Sequence, residues 1–136
     1  MDLKKTYQTF LVIYFSFIGA VVIYSFLAYT IFQNKARQIA PSPIFNSVIF
    51  MAAFISLMSS FFVARFFPKD PAMPALKRKL TVSIIQCAFM EAPAIFGLIL
   101  VMQGSPPQTM FPFVFMSLLG LGLRFPKYVD WERESN

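Results

Sequence analysis

Residues 80–102 read LTVSIIQCAFMEAPAIFGLILVM, 23 residues with one charged side chain, Glu91. As a helix rising about 1.5 Å per residue, the stretch is about 34 Å long and can cross a hydrocarbon core of about 30 Å. Further apolar segments lie on both sides, at about 6–32, 44–67 and 107–125. The first has no charge, and the second has only Arg65, near its end. The breaks between them are rich in proline: Pro41 and Pro43, then Pro68, Pro71 and Pro74, then Pro106 and Pro107 beside Gly104. Proline removes a backbone donor and restricts the residue before it, so these stretches are loops. The expectation is an all-α membrane bundle of four transmembrane helices. It forms a single domain over residues 1–136, with a polar tail at 126–136. The fourth segment is the shortest, and a re-entrant or interfacial course is its alternative.

Composition agrees. The chain is 57% hydrophobic and 13% charged and holds 18 phenylalanines. Soluble domains are about 25% charged, and a soluble chain of 136 residues has too much surface for its volume to hide so much apolar side chain. The first apolar segment exceeds the 7–15 residues of a signal-peptide core, so it is read as a retained span. One cysteine and no histidine leave no disulfide framework and no metal-ligand cluster. No nucleophile–base pair or phosphate-binding loop appears, so neither an enzyme nor a cofactor is expected. The net charge of +6 sits between and beside the apolar segments, where anionic headgroups meet it, so the partner is the lipid bilayer and not nucleic acid.

The basic residues also give an orientation. Lys4, Lys5, Arg65, Lys69, Lys77, Arg78, Lys79, Arg124, Lys127 and Arg133 share one side of a four-span chain, against Lys35 and Arg37 on the other. The positive-inside rule places both termini and the middle loop in the cytoplasm. The short loops favour a bacterial inner membrane.

Glu91 is the only acid within an apolar segment, twelfth of the 23 residues and so near mid-membrane. The bilayer disfavours its charged form, and a neutral carboxyl donates as well as accepts hydrogen bonds. Such a group suits a proton or ion relay. It equally suits a fixed interhelical bond. Cys87, one turn earlier on the same helix, and Tyr24, Ser56 and Ser59 on other segments are its candidate neighbours. Pro93 frees the carbonyl of Phe89 and is expected to bend the helix, leaving that carbonyl open to an ion or water. Ala52, Ser56, Ser60 and Ala64 recur every four residues and form a close-packing face, to be met by Ala88 and Ala92. Aromatic and charged residues alternate in the tail, as in a segment resting at the headgroups.

Residues 86–99, QCAFMEAPAIFGLI, resemble the carboxylate-bearing helix of the proteolipid (c) subunits of rotary ATP synthases and ATPases. Glu91-Ala92 and Phe96-Gly97 match that family's pattern, and a small-residue helix with a basic loop precedes them as in its hairpin. The resemblance implies that Glu91 carries the translocated proton or sodium ion and that the chain oligomerises. The second segment lacks that family's dense glycine repeat and Pro93 interrupts the motif, so a separate family of small four-helix membrane proteins is the alternative. The expected function is therefore a small oligomeric or complex-bound membrane subunit that relays a proton, or less readily sodium, through Glu91. A structural or assembly subunit is the competing expectation.

Overall fold

A computed structural model describes residues 2–34 and 41–135. They form five α-helices: α1 (Leu3–Asn34), α2 (Pro43–Phe66), α3 (Ala75–Met102), α4 (Phe111–Leu123) and α5 (Tyr128–Ser135), with a 3-10 turn (Pro107–Met110) leading into α4. The fold is all-α. Helices α1, α2 and α3 are each long and apolar enough to cross a membrane, which makes this an integral membrane protein. The loop with Lys35 and Arg37 lies outside the described residues.

Local chemistry sets the helix ends. The Asp2 carboxylate accepts from the Lys4 N–H at 3.0 Å and caps α1, so the helix starts before the apolar run at residue 6. Ser42 caps α2 by accepting from Phe45 N–H at 3.2 Å, and Pro43 opens the first turn. Helix α3 starts at Ala75, directly after Pro74, so Lys77, Arg78 and Lys79 stand on the helix rather than before it. It ends in a Schellman motif: Ser105 N–H reaches the Leu100 carbonyl, Gly104 N–H reaches that of Val101, and Gly104 takes φ 107°.

The fourth segment is shorter than expected. Helix α4 has 13 residues, about 20 Å, because Pro107 and Pro112 hold its start and Pro126 follows its end. With the 3-10 turn it reaches Pro107–Leu123, and a fourth candidate span arises only by joining that stretch to α5 across a 56° bend.

Helix α3 is the axis of the fold. It packs on α1, α2, α4 and α5, and α4 also touches α1 and α2. Among the described residues α1 and α2 do not meet. On α3 itself Ala88, Ile95 and Met102, at seven-residue spacing, are exposed. The two flanking helices bury one stripe each, Phe10, Tyr14, Val21 and Ala28 on α1 and Ala53, Leu57 and Ser60 on α2. Their other faces expose large apolar side chains, among them Val12, Phe26, Ile44, Phe54 and Phe62. In water such faces would be an aggregation hazard; lipid is the solvent that suits them.

The tail is folded and packs on the helices. Residues 128–135 form α5, and Trp131 is buried, with its ring 5.1 Å from Phe10 and 6.0 Å from Tyr7. The Tyr7 hydroxyl donates to the Pro126 carbonyl at 3.1 Å, and Lys79 pairs with Glu134 at 3.0 Å. These contacts bring the N-terminus, the start of α3 and the tail to one end of the molecule.

Two glycines mark close packing of α4 on α3 and α2. A Cβ on Gly97 would lie 2.9 Å from the Cβ of Phe113, and one on Gly120 would lie 2.7 Å from Leu57 Cδ1. Gly97→Ala is therefore expected to lower stability by about 1–3 kcal/mol, read from unfolding in mixed micelles. Gly122→Ala, which meets nothing within 4 Å, is expected to leave it unchanged.

Candidate functional site

The site gathers on one turn of α3. Pro93, fully buried, has no N–H to give the carbonyl of Phe89. In a bilayer an orphan carbonyl has no water to bind, so another donor must reach it. Ser56 of α2 does so: its hydroxyl donates to Phe89 O at 3.1 Å. On the opposite side of the same turn, Ser117 of α4 donates to Glu91 O at 3.3 Å and accepts from Ala94 N–H at 3.0 Å. The proline is thus clamped by two serines from two helices. The freed Phe89 carbonyl, expected to be open to an ion or water, is taken by Ser56.

The Glu91 side chain points the third way, toward α1. It is 9% exposed, and its Oε1 accepts from the Tyr24 hydroxyl at 2.7 Å. Among the described residues no cation pairs with it. At 2.7 Å the bond has the usual length for O–H···O. It leaves the carboxyl able to hold a proton on its other oxygen while accepting from Tyr24 on this one. Nearer the end of α4, the Tyr14 hydroxyl donates to Leu121 O at 2.7 Å and ties α1 to that helix as well.

Of the expected neighbours, Tyr24 is a direct partner, and Cys87 is buried one turn below on the same helix. Pro93 lies in the site through the backbone. Ser56 is beside it but serves the Phe89 carbonyl and not the Glu91 carboxyl. Ser59 is not brought to Glu91. It lines a shallow apolar groove on the outside of α2 and α3, with Met58, Phe62 and Phe89.

The small-residue face is rotated from its expected register. Ser60 is buried and Ala52, Ser56 and Ala92 are half-buried, but Ala64 and Ala88 are exposed. The reason is that α2 must cover α3 and α4 together, so its buried stripe follows the groove between them, along Ala53, Leu57 and Ser60. Ser117 and Tyr14 make the interhelical bonds that residue spacing left unassigned. Their signal was a polar group inside an apolar helix, which marks a need for a partner without saying which.

The surroundings of Glu91 differ along the axis. Toward the far end of α3, Ala28, Val101 and Met110 form a dry cluster, joined by Tyr24, Leu98 and Val114. Toward the basic end, a polar cleft of about 240 Å³ between α3, α5 and the α4–α5 linker is floored by Gln86 and Cys87. No family model, curated protein or solved structure matches the chain.

The clamp can be tested by a double-mutant cycle. Ser56→Ala is expected to cost about 1 kcal/mol in the native background, because the Phe89 carbonyl is then orphaned. In a Pro93→Ala background, where the helix supplies its own N–H, the same change is expected to cost close to nothing. Equal costs in both backgrounds would mean that Ser56 does not serve the carbonyl that proline frees.

Proposed function

We propose that the chain is a small subunit of a bacterial inner membrane, with four spans and both termini cytoplasmic, in which Glu91 and Tyr24 form a proton-exchanging pair. The observation that carries this reading is the 2.7 Å bond between the Tyr24 hydroxyl and the Glu91 carboxyl, in the middle of a span and, among the described residues, without a cation paired to it. An O–H donor at the carboxyl suits a proton better than sodium, which calls for several oxygen acceptors in place of its water. Access runs from the basic end, because the polar cleft stops at Cys87, one turn from Glu91, while the other direction is closed by the dry cluster. The likeness to the rotary proteolipid hairpin supports the same role for Glu91 and an oligomeric or complex-bound state. Short α4 crosses the bilayer together with the 3-10 turn and the linker to α5.

The second reading is an assembly subunit. Tyr24 belongs to α1, which does not meet α2, so the same bond fixes α1 on α3. The two readings part on proton exchange. Infrared difference spectra of the purified protein in lipid, recorded over a range of pH, are expected to show a carboxyl band that changes with pH. The band should be absent in Glu91→Gln and displaced in Tyr24→Phe. A band that stays constant across that range would leave only the fixed bond. For orientation, Lys69→Cys is expected to be shielded from an impermeant thiol reagent in intact cells and to react once they are opened. Labelling from outside would invert the topology.

A further inference from the structure

The cleft at the basic end has more positive charge than its own carboxylates neutralise. Two adjoining cavities, of about 240 and 210 Å³, share Lys79, Ser83, Gln86 and Arg124 as walls. Arg78 lines one and Lys127 the other. Facing these four cations are Asp130 and Glu134. Lys79 already commits its ammonium to Glu134 Oε1 at 3.0 Å and Asp130 O at 3.2 Å. Arg124 lies over the Phe61 ring at 5.2 Å. Among the described residues Arg78, Arg124 and Lys127 have no carboxylate partner.

Among the described residues, two buried donors in the same walls find no acceptor. Gln86 is 7% exposed, and its Nε2 has no hydrogen-bond partner; neither has Arg78 Nε. A buried donor left unmade is costly, and these two stand where the uncompensated charge is positive. The missing component is an anion with several acceptor oxygens. A phosphate group answers this description, because guanidinium binds it in a fork and amide and hydroxyl donors complete its shell. Each cavity is smaller than the roughly 300–1,000 Å³ of a drug-sized pocket, which suits a headgroup rather than a larger solute.

The cleft also opens onto lipid. Leu123 and Phe125 form part of its wall and are largely exposed, and Leu119, one turn earlier on α4, is exposed too. A ligand with its phosphate among the arginines could lay an acyl chain along these side chains. We propose that the cleft binds the phosphate of an anionic membrane phospholipid at the basic end of the molecule. The site stands whether or not Glu91 exchanges protons.

Trp131 is the only tryptophan and lines the cleft, so its fluorescence reports occupancy. The full chain in nonionic detergent is titrated with short-chain phosphatidylglycerol, short-chain phosphatidylcholine and inorganic phosphate. Phosphatidylglycerol is expected to give a saturable change that weakens with added salt. Phosphatidylcholine, whose choline would face the same cations, is expected to bind at least about tenfold more weakly. Arg124→Gln with Lys127→Gln, both exposed and outside the core, is expected to weaken phosphatidylglycerol about tenfold. Circular dichroism of that variant should match the native protein, and if it does not, Lys127→Gln alone is measured, with a weakening of about threefold expected. Glu91→Gln is expected to bind normally, which separates this site from the proton pair. No saturable change, equal binding of phosphatidylcholine, or a folded variant of undiminished affinity would overturn the proposal. Inorganic phosphate binding as tightly as the lipid would overturn the lipid assignment and leave a free-anion site.

Discussion

A backbone carbonyl inside a bilayer has no water to fall back on, and Pro93 creates one in the middle of the central helix. Its donor has to come from another segment. Ser56 brings α2 to Phe89 O, and Ser117 brings α4 to Glu91 O and Ala94 N–H on the other side of the same turn. Tyr24 then brings α1 to the Glu91 carboxyl. Three helices are therefore held to α3 within a single turn. The glycines at 97 and 120 follow from this, since α4 can reach the turn with a serine only if its backbone lies close to α3.

The same constraint gives the molecule two unlike ends. Above the clamped turn the packing is dry, with Ala28, Val101 and Met110 in contact. Below it, α3 carries Gln86, Ser83, Lys79 and Arg78, and α5 folds back to cover them, anchored by Trp131 on Phe10. The Lys79–Glu134 pair adds little energy at such an exposed position, typically about 0–1 kcal/mol. Burial of the indole contributes more and is what holds α5 in place. The polar cleft thus approaches Glu91 from the basic end. That asymmetry suits the one-sided proton site proposed above.

Much of this was legible from residue order. The apolar runs at 6–32, 44–67 and 80–102 marked the three long helices, because in lipid a span must be both apolar and helical and few other structures satisfy its backbone. Glu91 stood out because a lone carboxyl in such a run needs a partner, and Tyr24 was among the candidates. Helix ends were less legible. Apolarity shows where lipid begins, whereas Asp2, Pro74 and Gly104 show where hydrogen bonding begins and stops. The register of the small-residue face was not legible either. A four-residue repeat from Ala52 to Ala64 is compatible with any neighbour, and the buried stripe turned to Ala53, Leu57 and Ser60 once α2 had to cover two helices.

Residue order by itself determined that the chain is all-α, that it belongs in a membrane, and that Glu91 and Pro93 create needs for hydrogen-bond partners within an apolar helix. These follow from the one-dimensional balance of apolar length, charge and proline, and each is a property of a segment. Tertiary structure alone decided that Ser56 reaches the Phe89 carbonyl, that Ser117 completes the clamp, and that the tail closes a basic cleft. Those are pairings between residues 23 to 55 positions apart. A polar side chain in an apolar helix states that it needs a partner, but only the packing of the helices brings one within hydrogen-bonding distance.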